Sequence, residues 1–97
     1  MEFTEEDLKE IEEMAALLFS PEDIAQVIGI PPKEIVECLI NPEHPVSMAF
    51  SKGSLQTEVE LRRSILKLAK QGSSPAQTLS IKLRDELKMQ LVNLRIK

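Results

Sequence analysis

The stretch Pro21 to Ile40, PEDIAQVIGIPPKEIVECLI, constrains the geometry of this chain more than any other. Two helices joined at a steep angle by a short turn need a small residue where they cross, and Ala25 supplies it. The turn needs a backbone that tolerates positive φ, and Gly29 stands there. Ile24, Ile28, Ile30, Ile35 and Cys38 occupy the positions that must be apolar for such a pair to bury a shared core. Pro31 and Pro32 open the second helix, where a fixed φ and a missing N–H are tolerated. This register predicts a helix-turn-helix; any αα-hairpin with a glycine turn is the plainer alternative.

A further helix is predicted ahead of it. Thr4 is a good N-cap, Asp7 stands in the capping-box position, and Phe3 and Leu8 are spaced as a hydrophobic staple. Leu8, Ile11, Ala15 and Leu18 then recur at helical spacing, flanked by Met14 and Phe19. Glu5, Glu6 and Asp7 suit the positive end of the helix dipole. Ser20 caps the next helix, with Pro21 at its first position and Asp23 three residues after the cap. Residues 1–41 therefore read as a head of three short helices around an aliphatic core.

Residues 42–45 read as a linker, because the prolines of Asn41-Pro42-Glu43-His44-Pro45 interrupt helicity, and His44 reads as an ordinary exposed side chain. Residues 46–97 read as a long αα-hairpin. Its first arm runs from Val46 to about Gln71, loosened at Gly53, and Gly72-Ser73-Ser74 makes the turn. Ser74 is expected to cap the second arm, with Pro75 at its first position and Gln77 in the capping-box slot. The expected fold is all-α: a three-helix helix-turn-helix head followed by a long αα-hairpin.

Both arms carry more apolar surface than a two-helix hairpin can use. On the first, Leu55, Val59, Leu61, Ile65, Leu66, Leu68 and Ala69 fill a half-cylinder, with Glu58 and Arg62 inside that arc at pairing distance along the helix. On the second, Ala76, Leu79, Leu83, Leu87, Leu91 and Leu94 make one stripe. Ile81, Met89, Val92 and Ile96 make another on the opposite side. A hairpin needs one apolar face per helix, so the second stripe predicts self-association. Packing of that stripe under the trihelical head is the alternative, which Asp85 within the stripe disfavours. The expected oligomer interface comprises Glu58, Arg62, Ile81, Met89, Val92 and Ile96.

Charge is sharply divided. Met1 to Pro45 holds twelve acids against Lys9 and Lys33, a net of −10. Val46 to Lys97 holds four acids against ten lysines and arginines, a net of +6, which together give the −4 of the whole chain. An acidic head repels a phosphate backbone, since non-specific DNA affinity comes from cations that displace counterions. Lys52, Arg63, Lys67 and Lys70 fall on one side of the first arm as a basic stripe.

Other classes are disfavoured. No apolar run approaches roughly 18 residues, so no membrane span is expected. No basic-then-apolar leader opens the sequence, so an intracellular protein is expected. Cys38 lies on the apolar face of its helix and reads as a structural thiol. The glycines are scattered at positions 29, 53 and 72, so none builds a phosphate loop, and no Ser, His and Asp set suggests a triad. With one histidine and one cysteine, neither a zinc site nor any other cofactor is expected. The chain does not read as an enzyme.

A trihelical head, a Pro-containing linker and then HPVSMAFSKGSLQTEVELRRSILKLAKQGSSPAQTLSIKL from His44 onward resembles small phage and prophage DNA-binding proteins. These include small terminase subunits and their homeodomain-like relatives. The likeness is carried by Phe50 with Gly53, by ELRRSILKLAKQG at Glu60 to Gly72, and by Ala76 after the turn. It implies a head that binds packaging-site DNA and a hairpin that assembles subunits into a ring, which presents DNA to a large, ATP-cleaving subunit. Carried across by position, Lys33 and its neighbours face DNA, and Glu60 to Gly72 lies in the oligomerisation arm. The partners so implied are further copies of the chain, double-stranded DNA and a large packaging subunit, in a bacterial or phage-infected cytoplasm.

One departure is plain. The exposed early positions of the second motif helix are Pro31, Pro32, Lys33, Val36 and Glu37, where a DNA reader presents donors and cations. DNA contact is therefore expected from Lys33 together with Lys52, Arg63, Lys67 and Lys70. Two alternatives stand beside this reading: a transcriptional regulator of a mobile element, and a protein-interaction scaffold whose helix-turn-helix no longer binds DNA.

Overall fold

The computed structural model describes residues Glu2 to Ile96, except for the side chain of Ile96. Its elements are α1 (Glu5–Ala16), α2 (Pro21–Ile28), α3 (Pro32–Ile40), α4 (Pro45–Lys70) and α5 (Ser74–Ile96), with no strand among the described residues. The all-α expectation of a trihelical head and a long hairpin is met. The chain divides into two compact units, Met1–Val59 and Glu60–Lys97, so the edge of the first unit falls inside α4 rather than at residues 42–45.

Local chemistry sets the helix starts. The Thr4 N–H donates to Asp7 Oδ2 at 3.0 Å and the Asp7 N–H donates to Thr4 Oγ1 at 3.0 Å, a complete capping box. Ser20 Oγ accepts from the Asp23 N–H at 3.2 Å at the start of α2. At the start of α5 the expectation is off by one residue. Ser73 is the cap, its Oγ accepting from the Ala76 N–H at 3.4 Å, while Ser74 is already helical. Gln77 does not close a capping box; its Nε2 donates to the Ala69 carbonyl at 3.1 Å and ties α5 back to the last turn of α4.

Three helices are followed by a left-handed residue, whereas α3 ends at Asn41 in extended conformation, φ −95°. Gly29 at φ 81° ends α2 and Gly72 at φ 99° comes after α4, both in the left-handed region that glycine enters freely. After α1 the same reversal is made by Leu18 at φ 68°. There the Phe19 N–H reaches the Met14 carbonyl at 3.2 Å and the Leu18 N–H reaches the Ala15 carbonyl at 2.9 Å. A left-handed leucine costs about 1 kcal/mol because its Cβ crowds the next carbonyl. The helix therefore stops before Leu18, which leaves the apolar face expected of it and lies exposed.

The first unit has one core. Ile11, Met14 and Ala15 of α1, Ile24 and Ala25 of α2, Ile35 of α3 and Val46 of α4 are buried together. Phe3, Leu8, Ile28, Ile30, Cys38, Leu39, Ala49 and Phe50 pack partly buried against them. Of the expected motif core, Ile24, Ala25 and Ile35 are thus fully enclosed, while Ile28, Ile30 and Cys38 form its half-buried rim. Three helices of this length make a marginal core, and α4 completes it. Each fully buried isoleucine contributes about 2–3 kcal/mol of transfer free energy.

Gly53 is where α4 meets α1. A Cβ on Gly53 would lie 2.0 Å from the Glu12 carbonyl oxygen, 2.9 Å from its carbon and 3.1 Å from the Ala16 nitrogen. The helix is not loosened at Gly53; it runs unbroken, and the missing side chain lets two backbones touch. One turn on, the Thr57 hydroxyl donates to the Ala16 carbonyl, which the end of α1 leaves without a helical partner.

His44 is not an ordinary exposed residue. It is half-buried, its ring stands edge-on to Phe3 at 6.1 Å, and Nδ1 accepts from the Val46 N–H at 3.1 Å. The proton of the neutral ring is therefore on Nε2, and the imidazole acts as the cap of α4. His44→Ala should lower the unfolding free energy by about 1 kcal/mol, with His44→Asn recovering most of it, as read by urea titration. Equal stability of the alanine variant and the parent would contradict the cap.

Candidate functional site

In the first unit the outward face of α3 carries Lys33, Val36, Glu37 and Ile40, all exposed. Two apolar side chains and a carboxylate thus share the surface on which a DNA-reading helix displays donors. Beside it, Phe3, Glu34, Glu37, Cys38, Asn41 and His44 line a shallow depression. Cys38 is a free, half-buried thiol there. Among the described residues no group of three His, Cys, Asp or Glu side chains is placed to hold a metal ion.

The structure separates the basic stripe. Lys52 lies in the first unit, where its Nζ stands 3.6 Å from Glu12 Oε1 beside the Gly53 contact. Arg63, Lys67 and Lys70 lie in the second unit, all exposed along the last turns of α4. The second unit, from Glu60 onward, holds three acids against nine lysines and arginines, a net of +6. The charge boundary read from the sequence is therefore also the boundary between the units, since residues 46–59 carry only Lys52 and Glu58 and are neutral.

Within the second unit α4 and α5 run as neighbours from the turn. Ser73 donates its N–H to the Leu68 carbonyl at 3.0 Å, and Ala76 is buried against the arm. Farther from the turn, Arg62 and Leu66 of α4 and Leu83 and Leu87 of α5 line an open groove. Of the stripe expected to pack against α4, only Ala76 is buried and Leu83 half-buried; Leu79, Leu87, Leu91 and Leu94 are exposed. The opposite stripe is exposed as well, at Ile81, Met89 and Val92; Ile81 and Met89 line an open trough on the surface of α5 with Thr78, Lys82, Asp85, Glu86 and Gln90. The side chain of Ile96, the last member of the expected interface, lies outside the described residues. Asp85 interrupts the stripe and is bridged by Arg84 at 3.4 Å. Glu58 and Arg62 are each engaged in the folded chain, in the first and second unit respectively.

The site is thus a helical pair with apolar surface on several sides and cations along one arm. Sequence reasoning missed the apolar corner at Leu17, Leu18 and Phe19, of which it read Leu18 as part of the helical apolar face and Phe19 as flanking it. No helix among the described residues is long and apolar enough to cross a membrane. Set against known proteins, the chain matches no family model, no curated protein and no solved structure.

With the Lys52 side chain about two-thirds exposed, its pair with Glu12 contributes little. A double-mutant cycle of Lys52→Ala and Glu12→Ala should give a coupling below about 0.5 kcal/mol that fades in salt. A coupling above about 2 kcal/mol would make the pair a structural element of the crossing.

Proposed function

We propose that this protein is a non-catalytic, self-assembling adaptor of the kind the small terminase resemblance implies. Its hairpins join copies of the chain, and Arg63, Lys67 and Lys70 hold the backbone of duplex DNA. The observation that carries the reading is the state of α5, which among the described residues buries one side chain, Ala76, while most of both apolar stripes lies exposed. Two helices paired this sparsely do not hold their own fold in water, so the second unit needs a covering surface.

The magnitudes fit a second copy. Ten large apolar side chains of the second unit are 44–68 % exposed: Leu61, Leu66 and Leu68 on α4, and Leu79, Ile81, Leu87, Met89, Leu91, Val92 and Leu94 on α5. A leucine-sized side chain represents about 100 Å² of apolar area, so ten half-exposed ones offer about 500 Å². One side of a standard interface buries about 800 Å², of which roughly 60 % is apolar. Because these side chains lie on α4 and on opposite sides of α5, one seam covers only part of that area, and covering all of it takes contacts on more than one side.

DNA contact in this reading comes from the hairpin rather than from the helix-turn-helix. A specific observation favours a second reading, the interaction scaffold: the outward face of α3 presents Val36, Glu37 and Ile40, which suit a protein surface better than a base edge.

Two measurements test the proposal. Sedimentation equilibrium should give a mass of two chains or more, reduced to one chain by Met89→Glu with Val92→Glu. A one-chain parent would end the assembly reading. Duplex affinity should fall with salt, and alanine at Arg63, Lys67 and Lys70 together should lower the slope of log affinity against log salt by about 3. No salt-sensitive binding by the parent would select the scaffold.

A further inference from the structure

Leu18 is the one described residue other than glycine with positive φ, at 68°. The equivalent reversals after α2 and α4 are made by Gly29 and Gly72, so the fold has used the relaxed solution twice. Burial does not repay the leucine for its strain. Its side chain is 63 % exposed, between Leu17 at 70 % and Phe19 at 45 %. A strained apolar side chain left 63 % exposed on its own unit points to a contact beyond that unit.

The surroundings narrow the occupant. In sequence the corner is bracketed by Glu12, which pairs with Lys52, and Glu13 on α1 and by Glu22 and Asp23 on α2, within a unit of net charge −10. Phosphate-bearing surfaces, whether nucleic acid or anionic lipid, are repelled there. A helix that carries leucines beside lysines and arginines is attracted. The second unit is such a surface, with net charge +6 and exposed Leu87, Leu91 and Leu94 beside Arg84, Lys88 and Arg95.

We infer that the corner Leu17-Leu18-Phe19 is a docking surface for the basic hairpin of a second copy of this chain. The contact joins unlike surfaces, so it is heterologous and passes from copy to copy, closing only where the rotation between subunits permits. It rests on the self-assembly reading for its occupant but uses a surface separate from the hairpin-to-hairpin seam.

The test is the mass of the full-length protein in solution at about 0.05 M and 0.5 M salt, where the Debye length shrinks several-fold. The parent should exceed two chains at low salt and fall to two chains at high salt. Leu18→Gly, which relieves the strain, should stay at two chains at both salts while its melting temperature rises by a few degrees. Leu18→Asn, a polar residue that also tolerates this conformation, should lose the larger species in the same way. If either variant keeps the larger low-salt species, the corner is not the docking surface, whereas the assembly reading survives. A parent of one chain at both salts ends the assembly reading and this contact with it. If the variants lose binding to a duplex DNA or anionic vesicle probe with masses unchanged, the occupant is not a second copy and the inference is overturned.

Discussion

Where α4 crosses α1, the backbones approach so closely that a Cβ on Gly53 would stand 2.0 Å from the Glu12 carbonyl oxygen. This contact decides how the long helix is shared. Its first half is committed to the head: Val46 enters the core, Ala49 and Phe50 pack against it, and the Thr57 hydroxyl caps the end of α1. Three short helices enclosing only a few aliphatic side chains gain a fourth wall. The head's stability and the reach of the long helix therefore have a common cause.

Beyond Val59 the chain has no such support. The second unit is a pair of helices whose one buried side chain among the described residues is Ala76, and its remaining leucines are largely exposed. The same boundary divides the charge, leaving acids on the unit with a core and cations on the unit without one. A surface both apolar and cationic suits association with other chains and with polyanions. These two properties, rather than any arrangement of catalytic groups, carry the functional reading.

Much of the head was legible because its signals are local. Thr4 with Asp7, Ser20 with Asp23, and Ala25 with Gly29 act within a few residues, and each is found where the spacing placed it. Long-range causes were not legible. Gly53 read as a weak point because a sequence does not reveal which backbone crosses there, and the same glycine is where α4 and α1 meet backbone to backbone. His44 read as exposed, and the edge-on contact of its ring with Phe3, far away in sequence, was not visible there. Leu18 continued a helical period that the chain abandons one turn early, a choice no leucine announces. In the hairpin the two stripes of α5 were legible as periodicity. That neither is covered depends on tertiary structure, and the period cannot report it.

The contact between α4 and α1 is probed most directly by the urea unfolding free energy of Gly53→Ala against the parent. In an unobstructed helix interior this change stabilises by about 1 kcal/mol, because alanine loses less entropy. Here the added carbon must push α4 off α1, and overpacking of that kind costs about 1–3 kcal/mol or more. A net loss of stability is expected. A variant more stable than the parent would mean that the two helices do not meet at Gly53, and the division of α4 between head and hairpin would have no physical basis.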